Sequence, residues 1–192
     1  VIPTIDDGNG GGLHDNGLHD NGLHDDVVHL RRWRATDAPA LVDAWRDDEI
    51  SQRLPVPDRR DLDAARRWLE GWNDRFESGL AVDLVICESP RDEVCGEVGL
   101  SRIDPHRRAA LIGWWLGAPS RGRGLATRAV GLMAGWALGS GWLDALLAEI
   151  DDENQRSLRL AERCGFSPLG RSSDGRQVQV LRSKRNLEIH RG

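Results

Sequence analysis

Trp114-Trp115-Leu116-Gly117-Ala118-Pro119-Ser120-Arg121-Gly122-Arg123-Gly124-Leu125-Ala126-Thr127 is the stretch whose reading decides the fold. An apolar run, 111–116, leads into it and reads as a strand. A turn crowded with Gly, Pro and Arg follows. Leu125, Ala129, Leu132, Met133 and Trp136 then recur at i, i+4, i+7, i+8 and i+11, one face of a helix. Strand, Gly-rich loop, helix N-terminus is a geometry that binds anions. The first N–H groups of a helix lack partners within it, and its dipole adds about half a positive charge there. Gly122 and Gly124 let a phosphate approach the backbone, and Arg121 and Arg123 can add charge-assisted hydrogen bonds. The loop lacks the Gly-Lys-Ser/Thr of a Walker loop and the Gly-x-Gly-x-x-Gly of a dinucleotide fold. Alone, it is equally readable as a plain turn.

Upstream, residues 27–33 read as a strand, and Thr36 is placed to cap a helix over 37–47. Residues 61–77 give an amphipathic helix with Leu62, Ala65, Leu69, Trp72 and Phe76 on its buried face. Three apolar runs, 81–87, 94–103 and 109–116, are separated by short turns and therefore read as antiparallel neighbours. Downstream of the helix over 124–138, the strand at 143–150 is expected to run parallel to the one before that helix. A helix at 154–164 and strands from 165 and over 177–182 complete one mixed α/β layer structure.

The chain of 192 residues suits one domain with a sizeable core. Residues 12–26 form three Gly-Leu-His-Asp pentads, and residues 1–26 carry six Asp with no Lys or Arg. Such sequence cannot bury enough surface to offset the entropy of ordering it, so 1–26 is expected to be a disordered tail and 27–192 the folded domain. The pentad histidines recur every five residues, a spacing that suits neither a helix face nor a strand face for metal capture. Residues 27–192 carry 26 basic and 25 acidic residues, so no nucleic-acid footprint is evident. Cys87, Cys95 and Cys164 are too scattered for a disulfide framework or zinc site, although Cys87 and Cys95 could face each other on neighbouring strands. With no membrane-length apolar run and no signal peptide, the expectation is a cytoplasmic protein with reduced thiols, monomer or homodimer.

This order, with these residues, resembles the GNAT superfamily of acyl-CoA-dependent N-acetyltransferases over about residues 27–185. Arg121, Gly124 and Ala126 match the family's Arg/Gln-x-x-Gly-x-Gly/Ala coenzyme loop. Ile112-Gly113-Trp114-Trp115-Leu116 looks like its fourth strand. Asn154-x-x-Ser157, followed by Glu162-Arg163-Cys164-Gly165-Phe166, looks like the coenzyme-side helix and its exit. The last two look most like the ribosomal-protein N-terminal acetyltransferases (RimJ/RimL-like). The resemblance implies an α/β (α+β) fold: a mixed, mostly antiparallel sheet of about six or seven strands and about four flanking helices. A V-shaped splay would separate the fourth strand (109–116) from the fifth (143–150).

It also implies the chemistry. Acetyl-CoA would be the co-substrate, held by Trp115, Leu116, Arg121, Gly122, Arg123, Gly124, Leu125, Ala126, Asn154 and Ser157, with no metal needed. The acetyl group would pass directly to a primary amine of a peptide, protein or small molecule in a ternary complex. A protonated amine is not nucleophilic, so a base or water chain must take its proton. Glu149, Glu97 and Asp104 are the candidates, and Ser157 could protonate the leaving thiolate. Many relatives use a Tyr for that last step; Ala161 stands there, and the chain has no Tyr. The acidic residues at 47–49 and 58 could receive a cationic amine or simply be solvated. The alternative class is a non-catalytic acyl-CoA-binding regulatory domain of the same fold.

Overall fold

The computed structural model describes residues 23–184. Most of the expected tail thus lies outside the described residues. Its last four residues do not behave as a tail. Strand β1 (Leu23–His24) pairs antiparallel with β2 (Val28–Arg31), Leu23 opposite Leu30. The Asp25 carboxylate closes the turn by accepting the Val27 and Val28 N–H groups, each at 2.8 Å. The described fold therefore begins before residue 27.

After β2 come α1 (Ala38–Arg46), the single turn α2 (Asp48–Ser51) and α3 (Leu62–Glu77). Thr36 does not cap α1; that place falls to Asp37, whose carboxylate accepts the Arg34 N–H at 2.8 Å. Helix α2 was not expected. Asp47 creates it by accepting the Glu49 and Ile50 N–H groups at 2.9 and 3.3 Å. In α3, Ala65, Leu69 and Trp72 are buried as expected, whereas Leu62, at the first position, is 42% exposed.

Strands β3 (Ala81–Glu88), β4 (Val94–Asp104) and β5 (Ala109–Leu116) form an antiparallel meander. Helix α4 (Leu125–Gly139) carries the chain back to β6 (Ala145–Ile150), which lies parallel to β5. Then follow α5 (Gln155–Arg163), β7 (Ser167–Arg171) and β8 (Gln177–Arg182). The eight-stranded sheet runs β1-β2-β3-β4-β5-β6-β8-β7. This is the expected α+β architecture, with one short strand and one short helix more. No helix among the described residues is long and apolar enough to cross a membrane.

Alternation along the central strands divides the interior in two. Val82, Leu84, Ile86, Val98 and Leu100 face α4 and α5, where Leu125, Ala129, Met133 and Leu160 cover them. Val85 and Cys87 face α1 and α3, among Leu41, Val42, Trp45, Leu69 and Trp72. Each fully buried aliphatic side chain contributes about 1.5–3 kcal/mol. The same alternation separates Cys87 from Cys95, which packs on the α4 side; all three thiols are free.

Two polar devices sit in the second layer. Arg31 grips Asp37 with both terminal guanidinium nitrogens, at 2.7 and 3.0 Å, and the two side chains are 8% and 9% exposed. This pins β2 to the start of α1. Glu97, partly buried on β4, accepts the Trp33 indole N–H at 2.7 Å and that of Trp115 at 3.2 Å. Burial, and then the neighbouring Asp83 carboxylate, push the Glu97 carboxyl above its ordinary range.

Both devices carry measurable consequences. Asp37→Ala strips the buried Arg31 of its two-point partner and leaves it the half-exposed Asp92, and urea denaturation should find a loss of about 1–3 kcal/mol. Below about pH 4, Glu97 is protonated in folded and unfolded chains alike. Above it the unfolded chain ionises while the folded one keeps its proton, so Glu97 lowers stability as pH rises. Glu97→Gln removes that titration. The variant should therefore lose less stability than the parent between pH 5 and pH 8; parallel stability curves would contradict the shift.

Candidate active site

The parallel ladder between β5 and β6 joins only Ala109, Ala110 and Leu111 to Ala145, Leu146 and Leu147. Beyond it the two strands part. On its other side β5 stays paired with β4 as far as Leu116 opposite Gly96. The Gly117 N–H donates to the Cys95 carbonyl at 3.0 Å, so by alternation Gly113 and Trp115 also turn their backbone groups to β4. Trp114 and Leu116 turn theirs into the gap. Trp115 and Leu116, both expected to meet the coenzyme, line the cleft at this gap; Leu116 turns its backbone groups into it and Trp115 turns its own to β4. The Trp115 ring instead stacks on Trp33, centroids 6.4 Å apart, on the α1–α3 side.

A cleft of about 1210 Å³ fills the gap and opens to both faces of the sheet. On the α4 side its wall is the loop and α5. Gly122 and Gly124 have φ +76° and +80°, left-handed values that favour glycine, and Gly124 is the residue from which α4 starts. A Cβ on either would project into open space. Ala126, Asn154 and Ser157 line the same wall. The Asn154 carboxamide accepts the Ser157 N–H at 3.1 Å and so caps α5.

The loop side chains behave otherwise than their charge suggests. Arg121 donates to the Leu116 carbonyl at 2.9 Å and pairs with Asp47 at 2.8 Å and Glu49 at 2.9 Å. Its guanidinium is occupied by the chain itself. Arg123 pairs with Glu88, and neither Arg123 nor the core residue Leu125 is among the cleft residues. Further positive charge comes from α5, where only Arg156 has a carboxylate, Glu49 at 3.6 Å, within reach among the described residues. Arg156, Arg159 and Arg163, at i, i+3 and i+7, line the cleft from one exposed helix face. That spacing was readable from the Asn154 cap onward and went unread.

On the α1–α3 side the cleft meets α2, the end of β4 and β6. Leu146, Ala148 and Ile150 belong to the core beneath α4 and α5, so Glu149 faces the opposite way, into the cleft. Arg176 pairs with it at 2.6 Å and Arg102 at 3.6 Å. Glu97 is not among the cleft residues; both its oxygens hold indoles behind the Trp115 ring. Asp104 accepts the His106 and Arg107 N–H groups at 2.9 and 3.0 Å and so closes the β4–β5 turn. The sheet thus gathers Glu149, Ser157, Asn154 and the glycine loop around one cleft and leaves Glu97 and Asp104 outside it.

A second cluster stands apart. One ligand atom each from His29, Cys87 and Asp92 lies within 4.8 Å of the others. Arg31 donates to Asp92 at 2.7 Å, and Arg34 holds the other oxygen. Burial pushes the Cys87 thiol up to about 12. In this arrangement Asp92 joins β2 to the β3–β4 turn.

Comparison with known proteins agrees with this geometry. Residues 28–167 match the family described as the acetyltransferase (GNAT) domain. The chain is 30% identical over 156 residues to an uncharacterized N-acetyltransferase, p20, of Bacillus licheniformis; the match spans 79% of this chain and 88% of that protein. Among solved structures, the microcin C7 self-immunity acetyltransferase MccE, in complex with acetyl-CoA and AMP, superposes with a TM-score of 0.76 at 22% identity. That match covers 88% of this chain and 99% of the other. RimJ of Mycobacterium smegmatis, in complex with a CoA disulfide, gives a TM-score of 0.73 at 20% identity, over 82% of this chain and 83% of the other. At these identities the structures speak for the fold, while the family match covers most of the chain: it belongs to the GNAT acetyltransferase family and is an N-acetyltransferase of that family.

Proposed function

We propose that the chain binds acetyl-CoA against the glycine loop and transfers its acetyl group directly to a primary amine entering from the α1–α3 side. One observation carries this reading: the β5–β6 ladder stops at Leu111 and leaves the Trp114 and Leu116 N–H groups without a strand partner among the described residues, between an arginine face and a carboxylate. The coenzyme phosphates lie on the N–H groups around Gly122 to Ala126, with Arg156, Arg159 and Arg163 supplying charge. The pantetheine arm follows β5. The gap-facing N–H groups hold the thioester carbonyl and stabilise the negative charge that develops on its oxygen.

The amine nitrogen attacks the thioester carbon. A C–N bond forms as the C–S bond breaks, and the amine proton passes to Glu149, directly or through water. The Ser157 hydroxyl protonates the departing thiolate and is reprotonated from solvent. Glu149 returns its proton to solvent as Ser157 takes one up, so the neutral amine and acetyl-CoA give an amide and free coenzyme A with no net proton; an amine that arrives protonated first gives one proton up to solvent. Arg176 holds Glu149 in place. The acceptor is a peptide or protein N-terminus, a lysine or a small amine.

Gly124→Trp tests the coenzyme site. Its indole would fill the phosphate cradle, and the left-handed backbone adds about 1–2 kcal/mol of strain. Calorimetry should find acetyl-CoA affinity reduced by about 100-fold or more, with the thermal transition still cooperative. Wild-type affinity would mean that the phosphates bind elsewhere. Glu149→Gln should lower kcat/KM by about 10²–10⁴. An unchanged kcat/KM would take the proton away from Glu149.

A further inference from the structure

The acceptor side of the cleft pairs its charges unevenly. Its charged residues are Glu49 and Arg53 from the α2 region, Arg102 from β4, Glu149 from β6, Asp151 just after it and Arg176 from beside β8. Each carboxylate faces an arginine, Asp151 standing near Arg176. Glu49 pairs with Arg121 at 2.9 Å and Arg156 at 3.6 Å, and Glu149 with Arg176 at 2.6 Å and Arg102 at 3.6 Å. Asp47, next to this wall, is held by Arg121 at 2.8 Å. Arg53 has no carboxylate partner among the described residues; its guanidinium reaches only the Glu49 carbonyl, at 3.1 Å.

Arg102 is stranger. Its φ is +47°, a left-handed value in a residue with a full side chain. Such a backbone costs about 1–2 kcal/mol and persists where the surroundings impose it. Here the β4–β5 register shifts between Ser101 and Asp104, and the bulge turns a strand residue into the cleft. The side chain is 71% exposed and touches Glu149 only loosely. Neither arginine is consumed in holding the fold. Both lie across the sheet from the loop that takes the coenzyme phosphates.

We infer that Arg53 and Arg102 form an anion clamp, and that the acceptor is a primary amine carrying a carboxylate or phosphate group close to that amine. The inference rests on the acetyl-transfer reading above. A polycationic acceptor would meet a cleft that carries more arginines than carboxylates, with each of those carboxylates already facing an arginine. An anionic group on the clamp would instead direct its own amine toward Glu149.

The test uses the full chain and tripeptide amides with free N-termini: Ala-Glu-Glu, Ala-Gln-Gln and Ala-Lys-Lys. 2-Aminoethyl phosphate, against ethanolamine, is the phosphate arm. With acetyl-CoA and thiol release as readout, the acidic peptide should exceed the neutral one in kcat/KM by about tenfold or more. The lysine peptide should be the poorest. Arg53→Gln and Arg102→Gln should each draw the acidic-to-neutral ratio toward one while leaving the KM for acetyl-CoA in place. Mere structural damage would lower both peptides together and keep the ratio. Preference for the neutral or lysine peptide, or a ratio unmoved in both variants, overturns the clamp.

Calorimetric titration of the same peptides into the coenzyme A-saturated chain separates the two claims. Tight binding of the acidic peptide without acetylation keeps the clamp and refutes the transfer. Turnover of the lysine peptide at equal or better efficiency keeps the transfer and refutes the clamp. The better of the two anionic arms tells carboxylate from phosphate.

Discussion

A parallel ladder that stops after three residue pairs is the constraint on which this molecule depends. Backbone groups withdrawn from water must find partners, and a sheet ordinarily supplies them strand by strand. Here β5 is held on one side by β4 along nearly its whole length, and on the other it is abandoned halfway. One of the freed groups, the Leu116 carbonyl, is satisfied by Arg121. The freed N–H groups of Trp114 and Leu116 face the cleft. The neighbouring elements then follow from keeping this opening intact. Helix α4 starts from a left-handed glycine at its rim, α5 lines one wall, and the Trp33–Trp115 stack stiffens the strand from behind.

Much of this was legible in the sequence, for reasons that differ by element. The runs at 81–87, 94–103 and 109–116 became β3, β4 and β5 with little change at their ends, because short turns leave antiparallel pairing as the simplest arrangement. The parallel placement of β6 followed from the helix between it and β5. Helix α2 escaped because four residues cannot display a helical period; only the Asp47 cap announces it. Strand β1 escaped because the Leu23–Leu30 pairing that orders it is tertiary, while its local sequence reads as a repeat.

The site was legible in its residue types and less so in their directions. Glu97 and Glu149 both stand in strands with apolar neighbours, and alternation alone cannot say which face borders a core and which a cleft. The structure gives Glu97 to two indoles and Glu149 to the cleft. Arg121 shows the same limit. Its position beside two glycines suggested a phosphate ligand, yet its guanidinium fits two carboxylates and a carbonyl of its own chain. Planar guanidinium donors suit such fixed, multidentate contacts better than a lysine ammonium does. The 25 arginines of this chain are accordingly much of its internal wiring. Arg31, Arg108, Arg121 and Arg176 each tie two separate segments together.

The Arg121 contacts have a thermodynamic corollary. One guanidinium joins the glycine loop, the end of β5 and, through Asp47 and Glu49, the start of α2. Helix α2 also carries one wall of the opposite half of the cleft. The two halves are therefore not independent binding surfaces that happen to share a sheet. On the proposed reading, a ligand that moved the loop would pull through these contacts on the wall facing the other substrate. Linkage requires the resulting change in affinity to be equal in both directions.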